Sequence, residues 1–154
     1  MANEKIAAVL QQIVTELSQQ SLGHTIHSRI FKSQGFSKLA EKYAEHAEEE
    51  MGFVEKCIDR LIDLGCEVKL ESKAEGPVYK DPVEYIKYDL SLSRNEEGLA
   101  LMKEVIALAM VEDYASYDIL KDYMQDEDED ANWMEEQLEL IELIGKQNWL
   151  VHQL

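Results

Sequence analysis

The chain is poor in the residues that break or staple a fold, with two prolines, seven glycines and two cysteines among its 154 residues. Cys57 and Cys66 alone cannot build a disulfide framework. No apolar run approaches the ~20 residues that span a bilayer. Met1-Ala2-Asn3-Glu4-Lys5 shows no basic leader ahead of an apolar stretch, so no secretory signal is expected. Positive charge is scarce too: 15 Lys and Arg against 32 Asp and Glu leave a net charge of −17. That field repels phosphate backbones and anionic headgroups, which argues against nucleic-acid and membrane partners. What remains is 45% apolar and 31% charged, enough to bury a core and unlike an extended disordered chain. The length fits one domain over residues 1–154, and the whole reads as an acidic cytoplasmic protein.

The pattern is all-α. Ile6, Leu10, Ile13 and Leu17 recur in steps of four, three and four, placing one apolar stripe on a first helix that runs from Asn3 to Ser33. Gly35 suits a left-handed helix end, and Ser37 is the predicted cap of a second helix from Lys38 to about Leu64, stopped by Gly65. Lys69 to Asp81 is a polar connection, long enough to cross the length of a bundle. Asp81, Pro82 and Glu84 then give a strong start signal for a third helix. From Pro82 to Ile144 there is no further proline, and two helices joined near Val111 to Asp113 are predicted. Gly145 ends the fourth helix, and Lys146 to Leu154 supply a short fifth. The predicted architecture is a four-helix bundle with a long crossover between its second and third helices.

Two seams run through this bundle. The second helix carries Tyr43, Ala47, Glu50, Val54, Cys57, Leu61 and Leu64; the fourth carries Tyr117, Leu120, Met124, Glu127, Ala131, Met134, Leu138 and Ile141. Alternating steps of four and three face a core. Each seam holds one carboxylate, Glu50 or Glu127, where a lone ionised acid in a dry interior costs several kcal/mol. Such an acid is protonated, paired or bound to a cation, or its seam is turned toward a solvated subunit contact. A pair of them on different helices can also chelate one metal.

At this point the sequence resembles the bacterioferritins over nearly its whole length. His27-Ser28-Arg29-Ile30-Phe31 followed by Gly35-Phe36-Ser37-Lys38-Leu39 is similar to the family's first turn, and Glu49-Glu50-Met51 to its second-helix glutamate and haem-ligating methionine. Asp113-Tyr114, Ser116 and Asp118 resemble the start of the fourth helix. Trp133, Gln137 to Ile141, Gly145 and Gln147-Asn148-Trp149-Leu150 resemble its end and the short fifth helix. The resemblance implies a hollow 24-subunit homo-oligomeric cage built of two-fold dimers. It further implies stored ferric iron, b-type haem shared between two subunits, and a di-iron ferroxidase centre inside each bundle.

The ferroxidase pattern is broken here. The family places two Glu-x-x-His pairs on the second and fourth helices, a spacing that lets both side chains reach one metal. This chain reads Glu50-Met51-Gly52-Phe53 and Glu127-Asp128-Glu129-Asp130. Phe53 offers no lone pair, while Asp130 retains a carboxylate suited to harder cations. The first-helix glutamate position falls on Leu17, with Glu16 about 100° around the helix. The third-helix position falls on Ser93 or Arg94, with Glu97 one turn later. The candidate metal ligands left are Glu50, Glu127 and Asp130, with His24 on the interior stripe as a fourth or as their hydrogen-bond partner.

By the same resemblance Met51 is the candidate axial ligand of a bis-methionine haem across a two-fold axis; on packing grounds alone it is an interface methionine. Ser18, Ser21, Leu22, Thr25 and Glu48 would wall the haem, and several are more polar than a porphyrin edge prefers. Glu45, Glu48 and Glu49 form an acidic wall that attracts Fe2+. The leading expectation is an iron-storage cage subunit that binds haem through Met51 and lacks an intact di-iron site, assembling alone or with a ferroxidase-competent subunit. Two others stand beside it: a ferroxidase rebuilt on Glu50, Glu127, Asp130 and His24, and a structural assembly subunit without metal chemistry.

Overall fold

The computed structural model describes residues 3–154, which fold into α1 (Glu4–Ser33), α2 (Ser37–Asp63), α3 (Pro82–Ser93), α4 (Glu96–Glu112), α5 (Tyr114–Ile144) and α6 (Lys146–Val151). Asn3 caps α1 by accepting from Lys5 and Ile6. Gly35, at φ +92°, turns the chain so that α1 and α2 lie side by side. Ser37 does not cap α2: it is the first helical residue, and Phe36 occupies the cap position without a side-chain bond. Among the described residues Gly65 and Gly145 carry the other positive φ angles, at the ends of α2 and α5, where glycine has no Cβ to clash.

The crossover from Leu64 to Asp81 follows α1 along its length. Gln11 bonds both backbone groups of Lys69, Gln19 donates to Ala74 O, the ring of His27 accepts from Tyr79 N, and Gln34 donates to Lys80 O. Long amides of α1 thus satisfy backbone groups that a strand or helix would otherwise pair.

Helix three is where structure and sequence part. A continuous helix to residue 111 is replaced by two, because Asn95 accepts from Gly98 N and starts α4 afresh. Arg94 pins the break to α5 through Glu135 (2.7 Å), Asp128 (2.9 Å) and Asn132 (3.0 Å). The joint before α5 falls at Asp113, which caps that helix and also accepts from Arg60 at 2.6 Å.

The core is two apolar clusters with a polar layer between them. One gathers Ile6, Leu10, Leu17, Val54, Cys57 and Leu120; the other gathers Phe31, Leu39, Tyr43, Ile86, Met134 and Trp149. Trp149 fixes α6 onto the bundle end, donating through its indole to Gln137 Oε1 at 3.0 Å. Among the described residues no helix is long and apolar enough to cross a membrane.

Candidate functional site

The polar layer centres on His24. Its Nδ1 lies 2.5 Å from Glu50 Oε1 and its Nε2 2.9 Å from Asp89 Oδ2, and all three residues are buried. Burial by itself pushes an imidazole toward neutrality, but the Asp89 charge and hydrogen bond, followed by Glu50, hold His24 well above its ordinary value. The trio is a buried imidazole bonded through both ring nitrogens to carboxyls of two helices, and burial, opposed by the His24 hydrogen bond, raises Glu50 as well. Gln20, one turn before His24, donates to Glu50 Oε2 at 2.6 Å and reaches Glu127 Oε1 at 3.4 Å.

Of the four metal-ligand candidates, His24 and Glu50 meet directly and Glu127 joins them through Gln20. Burial, then the Glu50 charge, pushes Glu127 up to about 8. Asp130 turns elsewhere: its Oδ1 lies 3.3 Å from His46 Nε2. Burial, then Asp126, pushes Asp130 up to about 8. Leu17 is buried in the apolar core, and Phe53 packs edge-on against Tyr123 with ring centroids 5.8 Å apart. Neither position offers a donor atom. Glu16 stays exposed on an unbroken helix. The third-helix contribution comes from Asp89 rather than Ser93, Arg94 or Glu97: Ser93 is half-buried, Arg94 turns to α5, and Glu97 is exposed.

Asp89, Gln20 and His46 were not among the sequence candidates, although each sits at helical spacing from a residue that was. Gln20 precedes His24 by four, His46 precedes Glu50 by four, and Asp89 follows the buried Tyr85 by four. A cleft of about 850 Å³ between α1, the crossover and the broken third helix opens onto this layer, with Leu17, Gln20, Asp89 and Glu127 in its wall.

A second polar group lies between α2 and α5. Oxygens of Glu49, Asp126 and Asp130 lie within 4.8 Å of one another. Beside them both ring nitrogens of His46 lack a hydrogen-bond partner, as does Asp126 Oδ2. Burial, then His24 and Lys42, lowers His46 to about 4, so its ring is neutral at physiological pH. Burial and the Glu49 carboxyl push Asp126 up to about 7.

Met51 is 40% exposed and borders a shallow cavity of about 710 Å³ with Ser21, Thr25, Ser28, Ala47 and Glu48. The hydroxyls there are spent on backbone: Ser21 donates to Ala47 O, Thr25 to Ser21 O and Ser28 to Ala40 O. Those hydroxyls are therefore not free donors, although the charged Arg29, Glu48 and Glu55 also line the cavity. Cys57 is buried, and that burial pushes its thiol up to about 12; Cys66 is half-buried.

Residues 7–144 match the ferritin-like domain family. The chain is 38% identical over 130 residues to a bacterial ferritin of Neisseria meningitidis, covering 84% of this chain and 83% of that protein. It is 35% identical over 130 residues to a bacterial ferritin of Pseudomonas aeruginosa, with the same coverage. To a bacterioferritin of Rhodobacter capsulatus it is 28% identical over 147 residues, covering 95% of this chain and 88% of the relative. Helix order, crossover and inward-facing carboxylates agree with that match: the chain belongs to the ferritin-like domain family.

Proposed function

We propose that this chain is a subunit of a bacterioferritin-type cage that stores iron, with a bundle centre that does not work as a paired-iron oxidation site. One observation carries the second half. The space between the carboxylates is taken by His24, bonded through both ring nitrogens to Glu50 and Asp89, while Leu17 and Phe53 fill the positions where further ligands would stand. His24 already engages both buried acids, so two added ferrous ions would have to displace it. A centre rebuilt on Glu50, Glu127, Asp130 and His24 is less well supported, because both His24 nitrogens are engaged and Asp130 faces His46.

Iron storage rests on the relatives named bacterial ferritin and bacterioferritin and on the charge of −17, which draws Fe2+ toward acidic walls. The same likeness supports a cytoplasmic homo-oligomer of 24 copies assembled from two-fold dimers, with co-assembly beside a ferroxidase-competent subunit as the route to fast oxidation. For haem, Met51 and its cavity fit a thioether ligand presented at a contact between copies. When bound, haem would supply a one-electron redox centre. Met51 would hold it, and Ala47 and the inward-bonded Ser21 and Thr25 would line its edge.

Mixing Fe2+ and O2 with the pure homopolymer in stopped flow tests the proposal. Slow oxidation without a saturable fast phase is the expected result, and a fast phase saturating at two irons per chain would reject it. A haem Soret band present in the purified protein and absent from Met51→Leu tests the haem part; no band in either removes it.

A further inference from the structure

Iron storage makes no use of the cleft between α1, the crossover and the broken third helix. Its volume of about 850 Å³ falls in the range of small-molecule sites, roughly 300–1,000 Å³. Ile13, Leu17, Leu92 and Met102 make its walls apolar, and its floor presents the carboxyls of Asp89 and Glu127. His24 takes Asp89 Oδ2 and Gln20 takes Glu127 Oε1, which leaves one oxygen on each acid. The Gln20 amide hydrogens are spent on Glu50 and Glu127, so that side chain offers an incoming group only its carbonyl oxygen. Among the described residues five acids, Glu16, Glu75, Asp89, Glu97 and Glu127, line the cleft against a single Lys or Arg, Lys73. The field inside favours a positive guest, and the walls favour an apolar one. Gly23 adds an independent observation. It stands inside α1 with an ordinary helical backbone, where glycine is less stable than alanine. It lines the cleft, and a Cβ at this position would meet nothing nearer than the Tyr85 hydroxyl, at 4.0 Å. Packing within the chain does not require the glycine; open cleft lies beside it, where backbone can approach a guest closely.

We infer that this cleft binds one organic amine per chain, with the ammonium head at Asp89 and Glu127 and an alkyl or aryl body along Ile13, Leu17, Leu92 and Met102. The lining decides the class. A metal ion would use the floor alone and leave the apolar walls wet, and an organic anion would face the five acids. The inference goes beyond the storage proposal because it depends neither on cage assembly nor on the rate of iron oxidation.

Calorimetric titration of the metal-free, full-length protein with octylamine, 1-octanol and octanoate tests the inference, since the three share a body and differ in the head. The expected result is one amine site per chain. Octanol should bind at least roughly tenfold more weakly, the worth of a hydrogen bond to a charged group, and octanoate more weakly still. Gly23→Leu puts a side chain into the cleft and should abolish amine binding with the helical signal unchanged. Asp89→Asn should weaken the amine and leave octanol as it was. No amine binding, amine binding unchanged in Gly23→Leu, or octanol bound as tightly as octylamine would overturn the inference. Should Asp89→Asn fail to fold, Gly23→Leu and the comparison of heads still decide it. Slow or fast iron oxidation in the storage experiment leaves either outcome readable.

Discussion

At the bundle centre both ring nitrogens of His24 are bonded, to Glu50 and Asp89, whereas one turn from Glu50 on α2 both ring nitrogens of His46 are bare. Each histidine is buried and each faces carboxylates. At the centre the His24 ring bonds Glu50 and Asp89 and is held well above its ordinary value, while Gln20 ties in Glu50 Oε2 and Glu127 Oε1. The outer group is open, with neutral His46 among acids that burial and mutual repulsion push toward protonation. Acids in one small bundle thus meet two different histidines, one bonded through both ring nitrogens and one bonded through neither.

Breaking the central trio should have the largest effect. His24→Leu strands two buried carboxylates, and removing one partner of such a pair costs about 3–5 kcal/mol. Chemical denaturation should show that loss, and a triple variant with Glu50→Leu and Asp89→Leu should recover most of it, since an apolar replacement of the whole set is often neutral. No recovery would mean that packing around His24, rather than charge, dominates.

A pH series sharpens the contrast at intermediate size. Glu127 and Asp130 sit near 8, Asp126 near 7, and His24 is raised. Between pH 6.5 and 9 the folded chain thus binds more protons than the unfolded one, so stability falls as pH rises. His46, lowered to about 4 in the fold, opposes this slope near pH 6.5, where the unfolded imidazole still carries part of a proton, and adds nothing above about pH 8. The loss should be about 2 kcal/mol after solvent relaxation, or roughly 4–8 °C in the melting temperature of the metal-free protein.

The smallest effect belongs to the open group. His46→Leu removes a buried polar ring without stranding a hydrogen-bond partner, so stability should change by less than about 1 kcal/mol in either direction. A larger loss in thermal melts of the metal-free protein would show that His46 has a structural partner after all.

Much of this was legible in the sequence. The seam periodicity placed Glu50 in the interior and Glu127 half-buried on the cleft wall beside it, and Asp81-Pro82 and Gly145 marked helix ends that the structure keeps. Other parts were not, for identifiable reasons. Asn95-Glu96-Glu97-Gly98 is a helix start, but without a proline or a change of apolar period it reads as the middle of a helix; only the Asn95 to Gly98 bond reveals the break. That break and the anchoring of Arg94 on α5 fix the rotation of α3, which turns Asp89 inward and leaves Ser93 on the cleft wall. Residue spacing within one helix cannot supply its rotation against three others. The bond of His24 to Asp89 spans 65 residues and depends on that same rotation.

Anomalous diffraction from crystals soaked with Fe2+ without oxygen tests the central claim most directly. The expected result is no ion between Glu50 and Glu127, with His24 still bonded to Glu50 and Asp89. Two peaks about 3.5–4 Å apart, the spacing of a paired-metal site, bridged by Glu50 with His24 displaced, would contradict it.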